Sequence, residues 1–117
     1  MKLNHVNLAV TDVAATDAFL QRYFGFTTMG SHHNMAFLQD DDGAVISLTG
    51  IRSEVKYPVG FHVGFVKTTN ERVDEINQRL LDDGFEVKPP ARPHGAWTFY
   101  FQAPGGFTIE VLSLSGA

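Results

Sequence analysis

The sequence predicts an α+β domain in which two β-α-β-β-β modules form a half-open, barrel-like cup. The first observation behind this prediction is an internal repeat: "LNHVNLAV" and "MAFLQDDDGAVISLT" are echoed by "GFHVGFVK" and "TFYFQAPGGFTIEVL". The second is the alternation of apolar and polar residues in the segments that open and close each half, as expected for strands. The third is one stretch of helical apolar spacing in each half that ends at a glycine. With 117 residues we expect one domain, with module one at 1–50, a connector at 51–58 and module two at 59–117.

Module one is expected to contain four strands and one helix. The predicted strands are 3–10, 26–29, 35–39 and 44–49. Thr11 or Asp12 can cap the helix that follows the first strand, and Gly25 supplies the left-handed residue that ends it. The residues "DDDG" at 40–43 predict a hairpin turn between the last two strands.

Module two is expected to repeat that order. The predicted strands are 61–66, 85–87, 97–102 and 107–114. Thr68 and Glu71 fit a capping box at the start of the helix, which ends at Gly84. The stretch "KPPARPHG" predicts a loop, and "APGG" predicts the last hairpin turn.

The composition indicates which binding partners and which cellular compartment to expect. The formal net charge is −4 and no basic stretch is present, so a nucleic-acid partner is not expected. The chain contains no cysteine, which excludes disulfides and thiolate metal sites. No apolar run has the length of a membrane span, and polar residues interrupt the N-terminal apolar stretch. We therefore expect a cytoplasmic protein with a small-molecule partner and no membrane partner.

Four positions of the repeat predict a metal site. His5 and His62 open the first strand of each half, and Ser47 and Glu110 are equivalent on the last strands. All four fall on the strand face opposite the aliphatic residues, and a carboxylate in such a place is costly unless it is paired or bound to a metal. Two imidazoles and one carboxylate leave open positions on a divalent ion. We therefore predict that His5, His62 and Glu110 bind one divalent metal, with Fe(II) or Mn(II) favoured and Zn, Ni or Co as alternatives.

The chain resembles the vicinal-oxygen-chelate superfamily, which includes glyoxalase I, bleomycin-resistance proteins, fosfomycin-resistance enzymes and extradiol dioxygenases. The resemblance covers nearly the whole chain and is carried by "NHVNLAV" with His5, "GFHVGFV" with His62 and "FYFQAPGGFTIEVL" with Glu110. It implies paired β-α-β-β-β modules, a metal ion held by these three residues inside the cup, and a homodimer.

Within this resemblance, Ser47 separates the subclasses. Glyoxalase I typically has a second glutamate at that position, whereas extradiol dioxygenases and fosfomycin-resistance enzymes bind their metal with two His and one Glu. Asn7 replaces the threonine of the fosfomycin-resistance pattern, and few basic residues are available to bind a phosphonate. The histidine general acid of the dioxygenases is absent, because Asp41, Asp42 and Gly43 occupy that stretch. The pattern still leans towards the dioxygenases.

Five further residues are candidates for the site. Tyr100 matches a dioxygenase tyrosine that hydrogen-bonds the bound catecholate, and His94 is a candidate acid-base group. Asn7, Ser47 and Trp97 are predicted to contact the substrate.

The function predicted from these residues is that of a divalent-metal-dependent enzyme acting on a small catechol-like or hydroxycarbonyl substrate. A ring-cleavage-type dioxygenase is favoured. The alternatives are a glyoxalase-like lyase or isomerase, and a metal-free drug-binding protein of the bleomycin-resistance type, in which Trp97 and Phe99 would stack on an aromatic ligand.

Overall fold

The computed structural model describes residues 1–115, within which seven strands and two helices form two small mixed sheets. The first module contains β1 (Val6–Val10), α1 (Val13–Phe24), β2 (Thr27–His32), β3 (Met35–Gln39) and β4 (Val45–Gly50). The second contains β5 (His62–Lys67), α2 (Asn70–Asp82), β6 (Trp97–Gln102) and β7 (Thr108–Ser113). The predicted α+β class is confirmed. Residues 116–117 of predicted module two lie outside the described residues.

The two sheets share one pattern of pairing. The first has the order β1-β4-β3-β2, with β1 parallel to β4, and the second has the order β5-β7-β6, with β5 parallel to β7. The other neighbours are antiparallel. Cross-strand rows at the equivalent central position are Phe37–Ser47–Asn7 and Tyr100–Glu110–Gly64. The register therefore follows the repeat found in the sequence.

The chain divides into two compact units whose boundaries differ slightly from those of the two predicted modules. Unit one is Met1–Tyr57 together with Pro104–Phe107, and unit two begins at Pro58 and excludes that short turn. The turn belongs to unit one because Gly105 lies so close to Val10 and Thr16 that no side chain would fit there.

The first helix begins after a side-chain cap and ends at a glycine. Of the two predicted caps, Asp12 is the one used, and its Oδ1 accepts a hydrogen bond from the backbone N–H of Ala15 at 2.9 Å. Gly25 ends the helix in the left-handed conformation, with φ of 71°, as predicted. Leu20 is fully buried on the face that packs on the sheet, together with Leu8 of β1.

The cap of the second helix is one residue later than predicted. Thr69 has an extended backbone and its Oγ1 accepts a hydrogen bond from the N–H of Arg72 at 3.2 Å, so the predicted cap at Thr68 is wrong. The adjacent threonines offer the same hydroxyl, and the backbone angle decides between them.

The predicted strand at 85–87 is also wrong. The segment has no regular structure, and its only ladder-like contact among the described residues is an isolated bridge between Ala91 and Thr98. The prolines at 89–90 lack the N–H groups that a strand would donate to its neighbour. The second sheet is therefore one strand narrower than the first. No helix within residues 1–115 is long and apolar enough to cross a membrane.

Candidate metal centre

Glu110 is a buried carboxylate in the middle of the second sheet. The residue is only 7% exposed, and Thr98 Oγ1 donates a hydrogen bond to Glu110 Oε2 at 2.8 Å. The same hydroxyl lies 3.0 Å from the carbonyl oxygen of Val111. A buried charge needs such partners, since desolvation without them costs several kcal/mol, on the order of 2 to 7 even for a neutral polar group. Thr98 therefore supports Oε2, and Oε1 is the oxygen that faces His62.

His62 faces the other oxygen of that carboxylate. Its Nε2 lies 3.3 Å from Glu110 Oε1, and its Nδ1 lies 2.9 Å from the carbonyl oxygen of Gly60. A carbonyl can only accept, so Nδ1 carries a proton and Nε2 is the ring nitrogen that faces Oε1. At this separation Nε2 and Oε1 can be joined by a proton, as in an ion pair, or by a bound cation. The pair therefore fits one edge of a divalent-metal site, with Gly60 orienting the imidazole.

Tyr100 and His94 lie on the other side of the carboxylate. His94 Nε2 is 2.9 Å from the hydroxyl of Tyr100 and 3.5 Å from Glu110 Oε2. Loss of solvent around the phenol raises the pKa of Tyr100, and the hydrogen bond to Glu110 and its negative charge raise that pKa further. The phenol therefore stays protonated near neutral pH and can donate a hydrogen bond. Its ring meets the edge of His62 at a centroid distance of 5.5 Å.

His5 lies in unit one, directly before β1, and is exposed. Its Nδ1 is 2.9 Å from the amide oxygen of Asn4. That oxygen accepts, so Nδ1 again donates. His5 and His62 therefore make the same kind of hydrogen bond through Nδ1 and have equivalent places in the repeat.

Asn7 and Ser47 form a hydrogen-bonded pair in unit one. Asn7 Oδ1 accepts hydrogen bonds from Ser47 Oγ and from Thr49 Oγ1, both at 2.9 Å. Ser47 is 2% exposed, and its hydroxyl is committed to Asn7. The two hydroxyls bond to the amide oxygen of Asn7, and the predicted contact of Asn7 and Ser47 with a substrate stays a prediction.

Trp97 and Phe99 lie on the face of β6 that is turned towards α2. The indole N–H of Trp97 donates to Asp74 Oδ1 of α2 at 2.8 Å, and the guanidinium of Arg92 lies 5.7 Å from the ring centroid. Phe99 is 3% exposed. The contact of Trp97 with a substrate stays a prediction.

The structure brings part of the predicted site together. His62, Glu110, Tyr100 and His94 form one cluster in unit two, while the third predicted ligand, His5, belongs to unit one. Within residues 1–115, no group of three or more His, Asp or Glu side chains stands ready to hold a metal ion. Sequence reasoning missed Thr98. Its period-two spacing from Tyr100 on the same strand was the available signal.

A family model supplies the observation that decides the classification: it matches residues 2–111, nearly the whole chain. The chain belongs to the Glyoxalase/Bleomycin resistance protein/Dioxygenase superfamily. The fold and resemblance predicted from the sequence are thereby confirmed. No curated protein matches the chain.

Solved structures of this superfamily are similar over almost the full length. A protein described as a possible glyoxalase from Bacillus cereus is 51% identical, with a TM-score of 0.89 and coverage of 96% of this chain and 98% of that one. The fosfomycin resistance protein FosX from Listeria monocytogenes is 28% identical, with a TM-score of 0.82 and coverage of 97% and 93%. Another structure of FosX, at 27% identity, contains Mn(II) and a sulfate ion, with a TM-score of 0.82 and coverage of 97% and 90%.

A lactoylglutathione lyase from Agrobacterium tumefaciens shares the fold at 20% identity. Its TM-score is 0.77, with coverage of 96% of this chain and 92% of that one. Members with different reactions thus share this architecture, so the reaction has to be argued from the site.

Proposed function

We propose that this protein is a divalent-metal-dependent enzyme acting on a small molecule that binds the metal through two adjacent oxygen atoms. The observation that carries the proposal is the buried Glu110 carboxylate, whose Oε1 lies 3.3 Å from Nε2 of His62. The proposed ligands are His62 and Glu110, with His5 as the third, supplied by the same chain or by a second copy. Likeness to FosX, whose structure contains Mn(II), supports the choice of metal.

The other side chains of the cluster have roles that follow from their protonation. A divalent ion, when bound, polarises the substrate oxygens, and Fe(II) would in addition permit chemistry with O₂. Tyr100 holds its proton and donates a hydrogen bond to a substrate oxygen. His94, at 2.9 Å from that phenol, accepts or returns a proton through it. The NH₂ group of Asn7 donates to a substrate acceptor.

Two reactions fit this arrangement, each with its own support. A ring-cleavage-type dioxygenase is favoured by the Tyr100–His94 pair beside the carboxylate, because a catecholate oxygen needs a proton donor at that place. A lyase or other non-redox reaction is favoured by 51% identity to a protein described as a possible glyoxalase. In that case the metal acts only as a Lewis acid.

Metal content and oxygen uptake test the proposal and separate the two reactions. The protein is purified without chelator under anaerobic conditions and its metal is measured by elemental analysis. About one ion per chain, lost in His62→Ala and in His5→Ala, is the expected result. Oxygen uptake with catechol that occurs in the Fe(II)-loaded protein but not in the Mn(II)-loaded protein would support ring cleavage. Turnover of a hydroxycarbonyl substrate such as a hemithioacetal with Mn(II), without oxygen uptake, would support the lyase.

A protein that takes up no Fe(II) or Mn(II) on titration would overturn the proposal. It would favour the metal-free, drug-binding alternative, which ligand screening by Trp97 fluorescence would then examine. The predicted homodimer stays a prediction that sedimentation equilibrium can check, and the predicted cytoplasmic location stays a prediction too.

A further inference from the structure

A groove of about 780 Å³ lies in unit two beside β6, at the edge where the first sheet has a further strand. It runs between β6, the end of α2 and the irregular segment that follows the helix. Its lining includes Leu81, Phe85, Val87, Thr98, Phe99 and Tyr100. The volume is in the range of small-molecule sites, about 300 to 1,000 Å³.

Two sets of hydrogen bonds fix the irregular segment without adding a strand to the sheet. Asn77 of α2 is buried, and its Nδ2 donates to the carbonyl oxygen of Lys88 at 2.8 Å. At the other end, Ala91 and Thr98 exchange two backbone hydrogen bonds of 2.9 Å. The segment is thus fixed at Lys88 and Ala91, and within the described residues its ladder pairing with β6 is limited to the Ala91 bridge.

The lining is mostly apolar, and it shares two residues with the candidate metal centre. Leu81 is 43% exposed at the end of α2, and Phe85 and Val87 are half-buried along the irregular segment. The shared residues are Thr98, which donates to Glu110 Oε2, and Tyr100, which is hydrogen-bonded to the same carboxylate. A molecule bound at the carboxylate can therefore extend into apolar surroundings without leaving unit two.

We propose that this groove binds an apolar substituent of the substrate, an alkyl or aryl group of roughly four to eight carbons, while the adjacent oxygens of the same molecule bind the metal. The proposal rests on the proposed function for the oxygen-bearing end and on the groove alone for the apolar end. Glu86 and Lys88 also line the groove and are exposed. The substrate class is thus an alkyl- or aryl-substituted catechol or hydroxycarbonyl compound, rather than an unsubstituted one.

Calorimetric titration under anaerobic conditions tests this, with catechol, 4-butylcatechol and 4-butylphenol as the probes and Mn(II)-loaded protein. Each buried methylene contributes about 0.8 kcal/mol, close to a fourfold gain, so the butyl group is expected to tighten binding at least about tenfold over catechol. Leu81→Gln and Val87→Gln are expected to remove most of that gain and to leave the affinity for catechol unchanged. Leu114→Gln is the matched control, because Leu114 is 75% exposed and does not line the groove.

The outcomes separate failure of the groove from failure of the metal site. Equal affinities for catechol and 4-butylcatechol, with binding that requires Mn(II), overturn the groove and leave the proposed function standing. Binding of 4-butylcatechol and 4-butylphenol with equal strength and without Mn(II), lost in Leu81→Gln, supports the groove and overturns the metal-dependent function. A gain that survives both groove variants, or that Leu114→Gln also removes, overturns the assignment to this groove. Thermal unfolding of each variant verifies that it is folded.

Discussion

Ser47 and Glu110 occupy the same place in two sheets of the same register, but they are surrounded differently. Ser47 donates its hydroxyl proton to Asn7, its neighbour on β1, and that row satisfies itself. Glu110 has Gly64 at the equivalent place, which offers no side chain, and its oxygens are met by Thr98, His62 and His94 instead. The polar groups of the Ser47 row bond to one another. In the Glu110 row, a hydroxyl and two imidazole nitrogens surround the carboxylate.

The edges of the two sheets differ as well. The first sheet is completed by β2, which pairs with β3 from Thr27 to His32. In the second, the corresponding stretch contains the prolines at 89–90 and makes one bridge to β6. The repeated backbone thus supplies equivalent positions in the two sheets, while a few differences in sequence give module two a charge and an adjacent groove. Four predictions test this contrast.

The largest difference is expected in metal binding. Glu110→Gln keeps the shape of the side chain but removes its charge, and we expect Mn(II) affinity to fall at least about 100-fold, since even the loss of a residue behind a ligand costs about 10- to 100-fold. Ser47→Ala, at the equivalent position, is expected to change Mn(II) affinity by less than about threefold, because its hydroxyl is committed to Asn7. Competition titration with a chelating dye measures both. Equal losses in the two variants would contradict the contrast.

A large effect on stability is expected at the hairpin turn of module two. Gly105 has φ of +96°, and an added Cβ would lie 2.8 Å from both Thr16 Oγ1 and Val10 Cγ1. We expect Gly105→Ala to lower the free energy of unfolding by about 3 kcal/mol, the sum of backbone strain and overpacking. Gly84→Ala is the control, because its φ is +92° but a Cβ there would meet nothing within 4 Å. Urea unfolding should show a loss about half as large for Gly84→Ala, and equal losses would exclude the contact as the cause.

A smaller effect is expected from the hydroxyl that supports the carboxylate. Thr98→Val keeps the shape and leaves Glu110 Oε2 without its donor, so we expect a loss of about 1 to 3 kcal/mol in the free energy of unfolding. Thr49→Val makes the same change in module one, where Asn7 keeps its bond from Ser47, and should cost less than about 1 kcal/mol. Urea denaturation at neutral pH compares them. A larger loss for Thr49→Val would show that Glu110 does not depend on this hydroxyl.

The smallest effect concerns Tyr57, which ties the connector to β1 in unit one. Its hydroxyl donates to the carbonyl oxygen of Ala9 at 2.6 Å, so Tyr57→Phe should cost about 1 kcal/mol at pH 8. Burial raises the pKa of Tyr57 above its ordinary 10.0, although the bond to Ala9 works in the opposite direction. Because the folded pKa is the higher one, this contribution to stability is present below pH 10 and is lost as the pH rises through the raised pKa.

Absorbance at 295 nm, which reports tyrosinate, checks this pH dependence. The part of the absorbance change that occurs above pH 10 in the wild-type protein should be smaller in Tyr57→Phe. A Tyr57 phenol that titrates at or below pH 10 in the folded protein would contradict the prediction.

The sequence was most informative where the backbone repeats. Alternation and turn residues were enough to predict the hairpin that ends each module, and the repeat placed Ser47 and Glu110 at positions that the register of the two sheets makes equivalent. It was least informative at 85–87, where a strand-like apolar pattern precedes two prolines, and at Thr68, where a neighbouring hydroxyl was equally suitable.

The sequence by itself determined the α+β class, the repeat and the face on which His62 and Glu110 meet, because these follow from periodicities of the chain. Only the tertiary structure decided that Thr98 supports the carboxylate, that the Gly60 carbonyl orients the imidazole of His62, and that a groove opens beside β6. The physical reason is that these features depend on distances of about 3 Å between groups from different segments, and on backbone that fails to pair, neither of which has a periodic signature in sequence.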